Sequence, residues 1–110
     1  MDKFSRHITD FNIAGFTYWD GIDVIDKLAV GTILKLELDD ANPYDPRAVA
    51  LTYKNKKIGY VPRTHNLEIS QALYYGHDVF EAIITQFIPE AHPERQVRVM
   101  VRIADNRSSK

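Results

Sequence analysis

Residues 42–63 constrain the fold of this chain more than any other stretch. They open with Asn42-Pro43-Tyr44-Asp45-Pro46-Arg47 and pass through Ala48-Val49-Ala50-Leu51 to a basic turn at Lys54-Asn55-Lys56. They close on Ile58-Gly59-Tyr60-Val61-Pro62-Arg63. The first part is a rigid turn, because proline fixes its own φ and narrows its neighbour's choices. It holds an aromatic ring beside a carboxylate. Residues 48–53 and 57–61 then read as the two arms of a hairpin, and the second arm ends on a ring with an arginine just past a proline.

Alternation of apolar and polar residues marks further strands. Val97, Val99, Val101 and Ile103 oppose Arg98, Met100 and Arg102, which makes residues 97–103 the clearest strand of all. Leu34, Leu36 and Leu38 alternate with Lys35 and Glu37, and Ile8, Phe11 and Ile13 mark a less regular strand over residues 7–14. One helix is expected over residues 66–75, with Leu67, Ile69, Ala72 and Leu73 towards one side, Thr64 or Asn66 as N-cap and Gly76 ending it. A shorter helix is expected over residues 21–28, closing at Gly31. Short strands with one or two short helices predict a mainly β domain, a small, partly closed β-barrel. Leu36, Val49, Leu51, Ile69, Val99 and Val101 are its expected core. The sequence predicts one domain over residues 1–103 and a polar, disordered tail over 104–110.

Composition excludes several classes of function. The chain has 110 residues and no cysteine, so disulfide frameworks, cysteine zinc sites and thiol catalysis are ruled out. No apolar run approaches the roughly 20 residues of a membrane helix, and the first residues lack a signal-peptide core, so no membrane partner is expected. The default expectation is a cytoplasmic protein of bacterial type. A formal net charge of −1 argues against coating long duplexes but leaves room for a local nucleic-acid site. His7, His65, His77 and His92 share no metal-ligand spacing, and no phosphate loop, nucleophile elbow or zinc-protease helix is present. The expectation is therefore a protein without enzymatic activity, cofactor or metal.

Three clusters remain as candidate sites. Tyr44 is a pre-ordered ring, and Asp45 is a carboxylate that in a nucleic-acid site must meet a donor away from phosphates, such as a base amino group or a terminal hydroxyl. The alternative is that both merely satisfy a turn. In Gly15-Phe16-Thr17-Tyr18-Trp19-Asp20-Gly21, Phe16 reads as core, Tyr18 as a surface platform, and Trp19 as either. Tyr60 reads as a half-buried strand residue or a ring platform, and Arg63 as a solvated cation or a phosphate clamp. Lys57, with Lys54 and Lys56, reads as a solvated hairpin able to steer a ligand.

The order and spacing of four blocks resemble the HIRAN domain. They are residues 15–21, Leu28-Ala29-Val30-Gly31, Asn42-Pro43-Tyr44-Asp45-Pro46-Arg47-Ala48-Val49 and Ile58-Gly59-Tyr60-Val61-Pro62-Arg63. The resemblance runs over residues 8–103 and implies a modified OB-like barrel, in the stand-alone bacterial form, that grips single-stranded DNA at a 3′ end. It implies base stacking on Tyr18 and Tyr44, a terminal hydroxyl read by Asp45, a phosphate-facing Arg63 and a neighbouring contact from Tyr60. Trp19 and Lys57, from the reading of the clusters themselves, complete the expected set of nucleic-acid-binding residues. Thr17 departs from the pattern, since eukaryotic members carry an arginine there; the lost phosphate contact implies weaker affinity unless Arg47 or Arg98 compensates. Single-stranded DNA ends, and other DNA-processing proteins in a repair setting, are the partners this implies. The runner-up is a barrel whose aromatic groove binds a peptide.

Overall fold

The computed structural model describes residues 7–92 and 95–104. Alternation decides which side of each strand faces inward. In β6 (Val97–Ile103) Val97, Val99 and Val101 are buried, with Arg98, Met100 and Arg102 on the other face. In β2 (Ile33–Leu38) Leu34 and Leu36 point into the core, while Lys35 and Glu37 are exposed. β3 (Val49–Tyr53) breaks the rule, since Val49, Ala50, Leu51 and Thr52 are all buried. The six residues expected as core from the sequence are all at most 4% exposed.

β1 (His7–Asn12), β4 (Lys56–Tyr60) and β5 (Phe80–Phe87) complete an antiparallel sheet in the order β1-β6-β5-β2-β3-β4. β5 was not anticipated, although it lies between β6 and β2 and contributes buried Ala82 and Ile84. The sheet curls until its edges meet. Just past β1, the Ile13 amide still donates to Val97 of β6, while Ala14 exchanges two hydrogen bonds of 2.9 Å with Tyr60 at the end of β4. That single bridge makes the partly closed barrel. Gly59 permits it, since a Cβ there would stand 2.3 Å from Ile13 Cγ2 and 2.7 Å from the Ala14 carbonyl.

The connections follow local chemistry. Lys54 and Asn55 have φ of 48° and 69°, and Tyr53 pairs with Lys56, so the basic turn is a tight two-residue loop with Lys56 already in β4. The helix α2 (Leu67–Tyr74) buries Ile69 and Ser70 and packs Leu73 on the core. Leu67, expected on the same face, is 39% exposed. At 100° per residue it sits about 200° from Ile69, which places it round the helix. Gly76 ends α2 with its amide on the Leu73 carbonyl, and the His77 amide on Ala72 completes the reversal. The expected helix over 21–28 is α1 (Gly21–Val24) followed by a 3₁₀ turn, Ile25–Lys27. Among the described residues no helix is long and apolar enough to cross a membrane. Of the tail expected over 104–110, only Ala104 lies inside the described residues.

Candidate nucleic-acid interface

The loop joining β2 to β3 is built by short side chains bonding to nearby backbone. Asn42 Oδ1 accepts the amides of Tyr44 at 2.8 Å and Asp45 at 3.1 Å. Asp45 Oδ1 accepts the Arg47 amide at 3.0 Å. Two residues beyond β4 then fasten the loop. Asn66 Nδ2 donates to Asp45 Oδ2 at 3.0 Å, and Arg63 Nη2 donates to the Tyr44 carbonyl at 3.0 Å with its Nε 3.7 Å from Asp45 Oδ2. Asn66 occupies the N-cap position of α2, but its side chain makes no cap bond, and neither does Thr64, whose hydroxyl meets the His65 ring. The backbone around Tyr44 is thus held at several points, while its ring is 83% exposed.

A second set of rings rises from β4 and the 3₁₀ turn Phe16–Tyr18. The Tyr60 hydroxyl donates to Asp39 Oδ2 at 2.5 Å and accepts from Lys57 Nζ at 2.9 Å. The same ammonium lies 4.2 Å from the centre of the Trp19 ring, which meets Tyr60 edge-on at 5.6 Å. Tyr18 meets Trp19 edge-on at 6.1 Å and is almost fully exposed. Phe16 is buried, as expected, and Trp19, left open by the sequence, is 40% exposed. Lys57 is no solvated hairpin lysine. Its charge is committed between two rings and near Asp39.

Between the two sets lies a shallow pocket of about 210 Å³, lined by Ala14, Tyr44, Asp45, Tyr60, Pro62 and Arg63 among others. Tyr44, Asp45, Tyr60 and Arg63 therefore come together around one concavity. Tyr18, Trp19 and Lys57 do not line it and adjoin it through Tyr60. Of the two arginines considered as replacements for a cation at Thr17, neither lines this pocket. Arg98 is hydrogen-bonded to Asp10, and Arg47 lies on the far side of the loop.

Asp39 is the residue that sequence reasoning missed. It accepts from Tyr60 on one wall and, at 3.4 Å, from Asn42 at the base of the other. The Tyr60 hydroxyl, above all, holds its carboxyl below the usual aspartate range. Partial burial opposes this, while Asn42 and the Lys57 charge add to it. Its position three residues before Asn42 was the available signal, but its partner Tyr60 is 21 residues away.

A small, partly closed antiparallel barrel, with rings and an arginine gathered around a strand-end pocket, belongs to the class of β-barrel binding modules. The chain is a member of the HIRAN domain family, whose model matches residues 8–104; HIRAN domains are generally DNA-binding modules. The fold is similar to that of a crystal structure of a protein from Lactobacillus plantarum, with a TM-score of 0.74 and 23% identity over 93% of this chain and 98% of that one. It is also similar to the crystal structure of the HIRAN domain of human HLTF, with a TM-score of 0.64 and 13% identity over 97% of this chain and 85% of that one. No curated protein matches the chain.

Proposed function

We propose that this chain is a non-catalytic module that grips single-stranded DNA at its 3′-hydroxyl end. The observation that carries the reading is the doubly fastened Tyr44-Asp45 turn, whose backbone is held by Asn42, Arg63 and Asn66 while its ring stays free. Holding a ring in place before binding removes ordering cost from the complex. Tyr44 and Tyr18 stack bases, Trp19 and Tyr60 form the surface between them, and Lys57 holds those two rings together. Each Asp45 oxygen meets one intramolecular hydrogen-bond donor, and a carboxylate has about four acceptor sites, so room remains for a terminal hydroxyl. Arg63 spends one donor on Tyr44 and turns its Nε towards Asp45, and its remaining donors are offered to a phosphate. A cytoplasmic setting in DNA repair goes with this reading.

The test is fluorescence anisotropy with a short strand ending in a 3′-hydroxyl or a 3′-phosphate. Wild type should prefer the hydroxyl end, because a phosphate sets like charges together and strips Asp45 of its donor, a loss of roughly 1–3 kcal/mol. Asp45→Asn should lose that preference and tolerate the phosphate better than wild type does. Tyr18→Ala and Tyr44→Ala should each cost about 1–3 kcal/mol, the usual worth of a base–aromatic stack. Unchanged binding in the double tyrosine variant, or equal wild-type affinity for both ends, would defeat the reading.

A further inference from the structure

The loop that walls the end pocket has a second side. Pro46 and Arg47 turn away from Tyr44 and Asp45 and, with Ser70, Gln71, Tyr74 and Tyr75 at the end of α2, line a second concavity of about 220 Å³. Tyr74 and Tyr75 are 64% and 72% exposed and meet edge-on at 5.0 Å between ring centres. Two adjacent rings left in water need a reason. Among the described residues the Arg47 guanidinium has no partner, and no carboxylate lines this pocket.

We propose that Arg47, Tyr74 and Tyr75 form a second nucleotide subsite, which takes the nucleotides upstream of the 3′ end on the same single strand. The inference rests on the end-gripping reading above. Three arguments select this occupant. Like the first site it sets exposed rings beside an arginine, and here no carboxylate faces the guanidinium, which suits bases and a phosphate together. The two concavities share one wall. From Tyr44 to Arg47 the chain can span at most roughly 10 Å, the length of about three stacked nucleotides at about 3.4 Å each. The end pocket is also too small to be the whole site, since barrels of the OB type engage roughly 4–16 nucleotides. A strand leaving the first pocket across Pro46 meets Arg47 next and the tyrosine pair after it.

The experiment compares thymidine oligonucleotides of three, six and nine nucleotides, each with a single 3′-hydroxyl and a 5′ fluorophore. Wild type should bind the nonamer more tightly than the trimer, on the order of 5- to 100-fold, the range set by one added stack. There is one 3′ end in either ligand, so the gain is not statistical. The Tyr74→Ala, Tyr75→Ala double variant and Arg47→Ala should each lose most of that gain and keep the trimer affinity of wild type. Arg47→Ala should also flatten the nonamer's salt dependence by about 0.7 in slope, the share of one phosphate contact on a single strand. All changed side chains project from the surface, and a thermal melt checks that the fold is intact. A nonamer that binds no better than the trimer, or a gain that survives in both variants, overturns the second subsite while leaving the end pocket standing. Wild type that fails to bind the trimer and nonamer alike overturns the end-gripping reading and this one with it.

Discussion

At the residue scale, the end pocket is held by bonds within one turn and by bonds that only folding brings together. Asn42, Asp45 and Arg47 bond within a few residues of one another, so the turn that pre-orders Tyr44 is visible in Asn42-Pro43-Tyr44-Asp45-Pro46 itself. Asp39–Tyr60 and Asn66–Asp45 each span 21 positions and depend on how β2, β3 and β4 register. Lys57 was misread for the same reason, because only the fold brings Trp19 beneath it. Asp39 provides a test of this network. Its folded-state pKa is depressed below 3.8, so its contribution to stability is fully present above that value and is lost as pH falls through the folded pKa. Tyr60→Phe removes the largest cause of the depression. The variant should lose about 1 kcal/mol at neutral pH, less than the roughly 1.5–3 kcal/mol of a buried bond to a charged group, since the carboxylate is 31% exposed. It should then lose less further stability than wild type on acidification below about pH 4. Urea titrations at neutral and acidic pH measure both, and emission from Trp19, the chain's one tryptophan, should shift in the variant. Equal acid sensitivity in the two proteins would mean that Asp39 is not held by Tyr60.

At the scale of elements, most strands followed from period-two alternation, and the missed one shows what defeats that signal. β5 carries Ala82, Ile83 and Ile84 in a row, and its pairing with β6 shifts register between Ile84 and Gln86. A bulge puts the pattern out of phase, so a strand paired on both sides does not read as alternating. Barrel closure was equally hidden, because it rests on one bridge and on the missing side chain of Gly59. Gly59→Ala should therefore destabilise by roughly 2–4 kcal/mol, from collision with Ile13 and Ala14 together with strain at its φ of 154°. Gly76→Ala is the control. Its φ is also positive, at 86°, but a Cβ there meets nothing within 4 Å, so only the backbone term remains, about 1 kcal/mol. Chemical denaturation of the two variants separates the terms. Equal losses would show that closure at Gly59 contributes nothing beyond backbone strain. Because Tyr60 follows Gly59 and pairs with Ala14, the Gly59 variant should also disturb the end pocket, whereas the Gly76 variant should leave it unchanged.

At the scale of the whole molecule, a net charge of −1 gives no general attraction to a polyanion, so affinity has to come from a few placed contacts. The structure narrows which cations those are. Arg98 is tied to Asp10, Arg102 to Glu81 at 2.7 Å, and Lys57 to Tyr60 and Trp19. Arg63 lines the end pocket, with donors to spare beside its contacts to Asp45 and the Tyr44 carbonyl, and Arg47 lies across the loop. Counterion release contributes about 0.7 to the slope of log affinity against log salt for each phosphate contact on a single strand. A trimer that reaches Arg63 alone should give a slope of about −0.7, and a nonamer that also reaches Arg47 about −1.4. Arg63→Ala should flatten both by the same amount, whereas stacking variants should weaken binding without moving the slope. The separation matters because affinity alone does not distinguish a lost ring from a lost charge. A slope several times steeper would describe a protein that coats duplexes and would contradict the end pocket. A slope of zero, with binding retained, would mean that no phosphate is engaged and would move the assignment to a peptide held in the same aromatic groove.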